Sequence, residues 1–397
     1  MKKIAIVYDW LDKWGGVERV LLTLHEVFPT ADFYTSYYDK NKARWAKDFH
    51  IKTSFLQKLP RFIREHRVMS LPLYPFAFES FNFSEYDCVI SVTSSFAKGV
   101  VTRPETRHLC YLLTPTRFLW SHQEIYLKNS VGRFLTAPYV KQLRQWDYVA
   151  AERPDKIIAI SQTVAERCKK YYERDSEVLY PPFDLSYWEG IKKQLSSRSA
   201  FGGFGIPGKK NEMLNPPKAD QHDKETVGDK KYFLIVSRLE KYKRVDLVLD
   251  CFNNLPDQNL IVVGKGTEEQ KLRSLAKSNT QFLKDLSDEE LGQLYMHAEA
   301  LIMPQEEDFG YVALEAQFFG CPVIAFNAGG AQETVIDGKT GILFEKQDLN
   351  SLRHALERFH TISYNLRTST QISGPENVQR FEKSKFENKC KEILNIK

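Results

Sequence analysis

The sequence has no apolar run near the roughly 20 residues needed to span a bilayer. Its early apolar stretch, Ile4-Ala5-Ile6-Val7, is closed by Asp9 and is too short for a secretory signal. Six cysteines, at 88, 110, 168, 251, 321 and 390, form no close pair, so zinc spacing is missing and a disulfide framework is not expected. Reduced thiols in a cytoplasmic protein, at most peripheral on the inner face of a membrane, are the simplest expectation. Neither half carries G-x-G-x-x-G after its first strand, which argues against a dinucleotide-binding dehydrogenase. An Asp-x-Asp pair and a histidine cluster are also missing, so neither a metal nor a cofactor is expected. No solenoid-type repeat is present. The net charge of +5 is mild for 397 residues and points to no nucleic acid. It suits an anionic small molecule or an anionic membrane surface.

What is present is a chain long enough for two cores, with 42% hydrophobic and 27% charged residues, as globular domains have. The C-terminal half has a regular rhythm. Apolar runs at 232–236, 259–263, 281–282, 300–303 and 322–326 alternate with amphipathic stretches at 245–254, 268–277, 288–297 and 312–319. Short buried strands alternating with helices predict a parallel sheet covered on both faces. The N-terminal half repeats the habit, with strands expected at 3–9, 87–92, 107–113 and 155–160 and helices after Gly16 and Ser161. The reading is an α/β chain of two doubly wound Rossmann-like domains, 1–178 and 179–375. The extended stretch around Pro181 and Pro182 suits the join. Residues 192–231, rich in Gly, Ser, Lys, Asn and Pro, read as a long mobile insertion. A last helix over 376–397 is expected to return to the first domain.

Ligands of open α/β sheets bind at the carboxyl ends of the strands. Residues that follow the strands are therefore the candidates. Gly15 and Gly16 open the first helix, where bare backbone N–H groups can meet a phosphate; a plain helix-starting turn is the alternative. Arg238 and Lys243 follow the first strand of the second half and suit a diphosphate, the one as a fork and the other as a point charge. Gly264 ends the next strand, and Phe282 and Asp285 sit at the one after. Glu307 lies in a later loop, with Glu315 about two turns into the following helix. Carboxylates accept hydrogen bonds from sugar hydroxyls. Phe309, Gly310 and Tyr311 place backbone N–H groups at that helix start.

Taken together these residues resemble the retaining glycosyltransferases of family four, which have the GT-B architecture. The likeness covers nearly the whole chain outside 192–231. It is strongest over 306–334, EEDFGYVALEAQFFGCPVIAFNAGGAQET, which contains the family's E-x7-E motif as Glu307 to Glu315. Supporting stretches are GGVER at 15–19, AISQTVAERC at 159–168, LYPPFD at 179–184 and SRLEKYKRVDL at 237–247. The resemblance implies two Rossmann-like domains facing a central cleft, with the C-terminal helix crossing back to the first.

The resemblance also implies roles. Glu307 would hold the donor sugar near the reacting carbon and Glu315 the ribose. Arg238 and Lys243 would stabilise the leaving diphosphate as catalytic cations. Gly15 and Gly16 would approach the donor, and 282–285 would lie near the base. The implied reaction is metal-independent hexosyl transfer with retention from a nucleotide-diphosphate sugar, with mannose from GDP-mannose as the first candidate. The acceptor would be lipid-linked or a saccharide, as in mannosyltransferases of surface polysaccharide synthesis.

One position departs from the pattern. Relatives carry His before a Thr-Pro at the end of an N-terminal strand, where this chain has Leu113 before Thr114-Pro115. The alternative reading is therefore a catalytically impaired, sugar-nucleotide-binding partner subunit. His108 and His122 are near in sequence and read as ordinary histidines. An epimerase would need an acid–base set and a phosphorylase a pyridoxal lysine, and neither is identifiable. Between 52 and 83, Lys58, Arg61, Arg64 and Arg67 interleave with Phe62, Leu71, Leu73, Tyr74, Phe76, Phe78 and Phe81. That pattern suits an anionic membrane face, or else a locally packed excursion.

Overall fold

A computed structural model describes residues 2–65, 67–121, 130–199 and 231–394. The chain forms two compact units, Met1–Phe183 with Phe381–Lys397, and Asp184–Arg380.

The first unit is built on a parallel sheet of β1 (Ile4–Tyr8), β2 (Asp32–Thr35), β3 (His50–Thr53), β4 (Cys88–Thr93), β5 (Arg107–Leu112), β6 (Lys156–Ala159) and β7 (Glu177–Val178). Their order is β3-β2-β1-β4-β5-β6-β7. All five residues of β1 and all six of β4 are buried, as an apolar run covered on both faces requires. Strands β2 and β3 were not legible in the sequence. β2 is the four residues Asp-Phe-Tyr-Thr and β3 is His-Ile-Lys-Thr, too short and too polar to stand out. Helix Gly16–Val27 buries Glu18, Val20, Leu21, Thr23 and Leu24, the stripe expected of one face at helical spacing.

The second unit has β8 (Tyr232–Val236), β9 (Asn259–Val263), β10 (Thr280–Leu283), β11 (Leu301–Met303), β12 (Val323–Phe326) and β13 (Gly341–Phe344). They are parallel, in the order β10-β9-β8-β11-β12-β13. Both sheets thus reverse direction once, between β1 and β4 and between β8 and β11. In doubly wound sheets that switch point is where ligands bind. Helix Asp288–His297 starts at a capping box, Ser287 with Glu290, so two of its orphan donors are satisfied reciprocally.

Three expected boundaries move. The first unit runs to Phe183 rather than to 178. Residues 192–199 belong to helix Leu185–Ser199, whose Leu195 is buried and whose Lys192 reaches the Phe318 carbonyl, so the insertion does not begin at 192; residues 200–230 lie outside the described residues. Nor does the final helix begin at 376. Residues up to Val378 finish the 30-residue helix Leu349–Val378. They are tied into the second unit, because Asn377 Nδ2 donates to the Gln317 side chain and the Thr334 carbonyl, both at 2.8 Å. The last helix is Lys383–Ile393. It belongs to the first unit, where Phe386 meets Tyr111 and Arg107 donates to the Ile393 carbonyl at 2.7 Å. A cation at a helix C-terminus is the favourable arrangement.

Candidate functional site

At the switch point of the second sheet, two loops meet. The loop after β8 carries Arg238, Tyr242 and Lys243, and the loop after β11 carries Gln305 and Glu307. Lys243 is buried, and its Nζ pairs with Glu307 Oε1. The same Oε1 accepts from Gln305 Nε2 at 2.8 Å. Arg238 is exposed and donates to the Tyr242 hydroxyl at 2.6 Å. Lys243 Nζ lies 5.2 Å from the centre of the same ring. Tyr242 therefore sits against both cations and sets them side by side.

Backbone contacts fix Glu307 from the other direction. Gly330 N donates to the Glu307 carbonyl at 2.7 Å, and Glu307 forms a bridge with Gly329. A Cβ on Gly330 would stand 2.2 Å from the Phe309 carbonyl oxygen, so only glycine permits this approach. Gly310 caps helix Tyr311–Phe318 with φ of 90°, the left-handed region glycine favours. Phe309 is buried against Tyr311, with ring centres 5.3 Å apart. The start of this helix presents backbone N–H groups, which suit an anion.

Glu315 lies little more than one turn into that helix, not two, because the helix starts at Tyr311. It is buried, and its Oε2 accepts from the Tyr295 hydroxyl at 3.0 Å. Gly264 ends β9 with φ of 147°, and its absent side chain lets the strand end lie against the Ser237 carbonyl. Beyond β10, Asp285 pairs with Lys265, while Phe282 receives the Arg273 guanidinium 4.8 Å from its ring centre. The end of β10, with Phe282, and the loops after β8, β9, β10 and β11, with Arg238, Lys243, Gly264, Asp285 and Glu307, thus share one rim of one unit.

Gly15 and Gly16 lie in the first unit, with Gly15 as the extended cap of helix Gly16–Val27. The switch point of that sheet holds Asp9, which the sequence marks only as the end of a strand. Its buried carboxylate accepts from Thr93 Oγ1 and from the backbone N–H of Ser94, Phe96 and Ala97 at 2.8–2.9 Å. Burial pushes the Asp9 carboxyl upward, against these hydrogen bonds. The signal was a charged residue closing an all-apolar strand. Gln305 and Tyr242 were missed too, and only the packing of the loops reveals them. Leu113 is buried, its N–H donating to the Thr93 carbonyl at 2.8 Å. His108 is buried on β5 against Ser91, and burial drives its imidazole down to about 3, so it is a neutral core residue; His122 lies outside the described residues.

The basic and aromatic segment divides. Tyr74 and Phe78 belong to the buried core, with Leu71, Leu73 and Phe81 packed against it. Phe62 and Phe76 are each 65% exposed and Met69 is 49% exposed. Lys58 and Arg61 are also exposed, Arg64 donates to the Gln57 carbonyl, and the Arg67 side chain lies outside the described residues. Among the described residues no helix is long and apolar enough to cross a membrane.

Comparison with known proteins gives similarity in sequence and in fold. Residues 217–373, less than half of the chain, match the family model described as Glycosyl transferases group 1. An alpha-1,3/1,6-mannosyltransferase of Dictyostelium discoideum is 29% identical over 210 residues, 46% of this chain and 46% of that protein. A GDP-mannose-dependent alpha-(1-6)-phosphatidylinositol monomannoside mannosyltransferase of Mycolicibacterium smegmatis is 30% identical over 183 residues, 40% of this chain and 48% of that one. The chain spans about half the length of the curated relatives it matches. The crystal structure of Anabaena Alr3699/HepE in complex with UDP superposes with a TM-score of 0.67 at 17% identity, covering 99% of each chain. WaaG, a glycosyltransferase involved in lipopolysaccharide biosynthesis, superposes with a TM-score of 0.64 at 15% identity, covering 98% of this chain and 99% of that one. The chain thus has the two-domain α/β fold of the GT-B glycosyltransferases, and over residues 217–373 it is similar in sequence to the glycosyl transferases of group 1.

Proposed function

We propose that the chain transfers a hexose from a nucleotide-diphosphate sugar to a lipid-linked or saccharide acceptor, without a metal and with retention of configuration. The observation that carries this is the Lys243–Glu307 contact at the switch point, with Arg238 beside it. GDP-mannose is the donor the reading favours, supported by the mannosyltransferase relatives.

The chemistry follows from the charges. The acceptor oxygen attacks the anomeric carbon while the bond from that carbon to the diphosphate oxygen breaks. The bonding pair leaves on the diphosphate, which takes the acceptor's proton. Negative charge grows on phosphate, and fixed cations aimed at it lower the barrier. Lys243 and Arg238 are such cations. Glu307 compensates the buried ammonium, which otherwise bears a large desolvation cost. Glu307 then serves as the acceptor for sugar hydroxyls, Glu315 for those of the ribose, and the helix start at Gly310 adds N–H donors. Residues 282–285 lie toward the base.

Leu113 favours a second reading, a sugar-nucleotide-binding partner that transfers poorly. Calorimetric titration with GDP, UDP and ADP in the absence of divalent metal, followed by turnover of GDP-mannose and UDP-glucose, separates the two. Tightest binding of GDP with transfer or hydrolysis of GDP-mannose is the expected result. Binding without turnover selects the second reading, and no binding of any diphosphate removes both.

The exposed Phe62, Met69 and Phe76, among Lys58, Arg61 and Arg64, support an acceptor reached at an anionic membrane surface on the cytoplasmic side.

A further inference from the structure

Glu307 is held by one residue that the family pattern does not supply. Gln305, the second residue before it, is 2% exposed. Its amide could point either way on shape alone, but a carboxylate only accepts, so Nε2 must face Glu307. It donates to Oε1 at 2.8 Å, alongside the Lys243 ammonium. That choice leaves the amide carbonyl stranded, for Gln305 Oε1 is buried with no hydrogen-bond partner among the described residues. An orphaned acceptor is unfavourable. An apolar side chain of the same length would not bear that cost. The stranded carbonyl therefore weighs against a purely structural role for the amide. What the amide does gain is a fixed Glu307 carboxylate.

The rest of the loop supports the same end. Pro304 O accepts from Gln347 Nε2 at 2.8 Å, which pins the backbone just before Gln305. The Glu307 carbonyl is pinned by Gly330 N. With main chain fixed on both sides, the remaining freedom is the Glu307 side chain, and Lys243 and Gln305 share its Oε1.

We infer that Gln305 is a positioning residue: its amide N–H holds the Glu307 carboxylate in the orientation that receives the donor sugar, so that turnover depends on Gln305 although folding does not. The inference rests on the proposed donor site.

The test is Gln305→Met, which keeps the length of the side chain and removes both the donor N–H and the orphaned carbonyl. Thermal melting should occur at or above the wild-type temperature. The kcat for GDP-mannose should fall on the order of ten- to a hundredfold, as for a reacting group displaced by up to an ångström, with donor KM changed far less. Crystal structures of the ligand-free wild type and variant should show Glu307 in one rotamer in the first and in several in the second. A variant that melts lower while kcat is unchanged overturns the inference, as does a Glu307 that keeps its rotamer. The crystallographic readout does not depend on turnover. If the wild type transfers no sugar but Glu307 loses its order in the variant, the proposed function fails while the positioning contact stands.

Discussion

Lys243 and Glu307 come from loops 64 residues apart and meet side chain to side chain where the second sheet reverses its strand order. The meeting is asymmetric. Lys243 is buried, whereas Glu307 keeps part of its surface in solvent. Removing the carboxylate is therefore expected to cost more stability than removing the ammonium. Glu307→Gln should lower unfolding free energy by about 2–3 kcal/mol and Lys243→Met by less, with a coupling of roughly 1–3 kcal/mol in the double variant. Each single change should reduce sugar transfer by about 100-fold or more. Urea melts and initial rates on the four proteins check this; equal destabilisation by the two singles would contradict the asymmetry.

Gly264 links folding to the site. A methyl group there would stand 1.9 Å from the Ser237 carbonyl oxygen, and its φ of 147° is one that side chains avoid. The residue after Ser237 is Arg238. Gly264→Ala is expected to destabilise by on the order of 2–4 kcal/mol and to shift Arg238 with the strand end. Diphosphate affinity at a temperature where the variant is still folded should fall. Unaltered affinity would separate the backbone of this loop from the binding of phosphate.

Acid sensitivity should trace in part to Asp32. Burial opposes its ionisation, but hydrogen bonds from Tyr86, His50 and Lys52 outweigh that and hold its carboxyl at about 2. The folded value lies below the unfolded value of 3.8, so the contribution is present above about pH 4 and is lost as pH falls toward 2. It amounts to roughly 2 kcal/mol, because each tenfold change in proton affinity is worth about 1.4 kcal/mol. Stability measured from pH 5 to pH 2 should fall less steeply in Asp32→Asn than in the wild type. Parallel curves would show that the cluster does not hold in solution.

Much of this architecture was legible because period and composition agree with it. Apolar runs such as Tyr232–Val236 are strands, and the charged residues after them line one rim. Glu307 and Glu315 were singled out by the resemblance over 306–334, not by their spacing alone. What escaped depends on partners distant in sequence. Nothing near Lys98 announces that it lies buried against Asp147, nor that Asp147 also takes hydrogen bonds from Thr116, Trp120 and Tyr172. Gln305 is similar, for its role exists only because β8 and β11 are neighbours. The long helix Leu349–Val378 was not read from the sequence, and it carries Gly374 and Pro375 within its last turns. There Gly374 packs on the Gln317 carbonyl, where a side chain would not fit.

The Lys98–Asp147 pair should dominate the stability of the first unit. Both side chains are fully buried, and every hydrogen bond named above converges on one carboxylate. Lys98→Met leaves that carboxylate buried without its ammonium and should cost about 3–5 kcal/mol, as breaking one side of a buried pair does. Replacing both, Lys98→Met with Asp147→Leu, should cost less than the sum of the singles. Thermal unfolding of the three variants decides it. Additive losses would mean that the pair is not coupled.

The exposed aromatics offer the most direct check on where the acceptor is met. Phe62, Met69 and Phe76 are large apolar side chains left in solvent, in a segment whose Tyr74, Phe78 and Phe83 are buried in the core. Burying each such side chain in the acyl boundary is worth about 1.5–3 kcal/mol, and each nearby cation adds about 1 kcal/mol at an anionic surface. Neither contribution alone gives firm attachment, so both should be required. The protein should co-sediment with vesicles containing phosphatidylserine, and less with pure phosphatidylcholine. Raising salt to about 0.5 M should weaken binding, because the Debye length falls to a few ångströms. Phe62→Ser with Phe76→Ser should weaken it at least about tenfold without lowering the melting temperature, since neither ring is part of the core. If the double variant binds as the wild type does, the rings do not insert, and charge alone accounts for any attachment. If neither protein binds at low salt, the acceptor is met in solution, and the segment's basic residues are ordinary solvated charge.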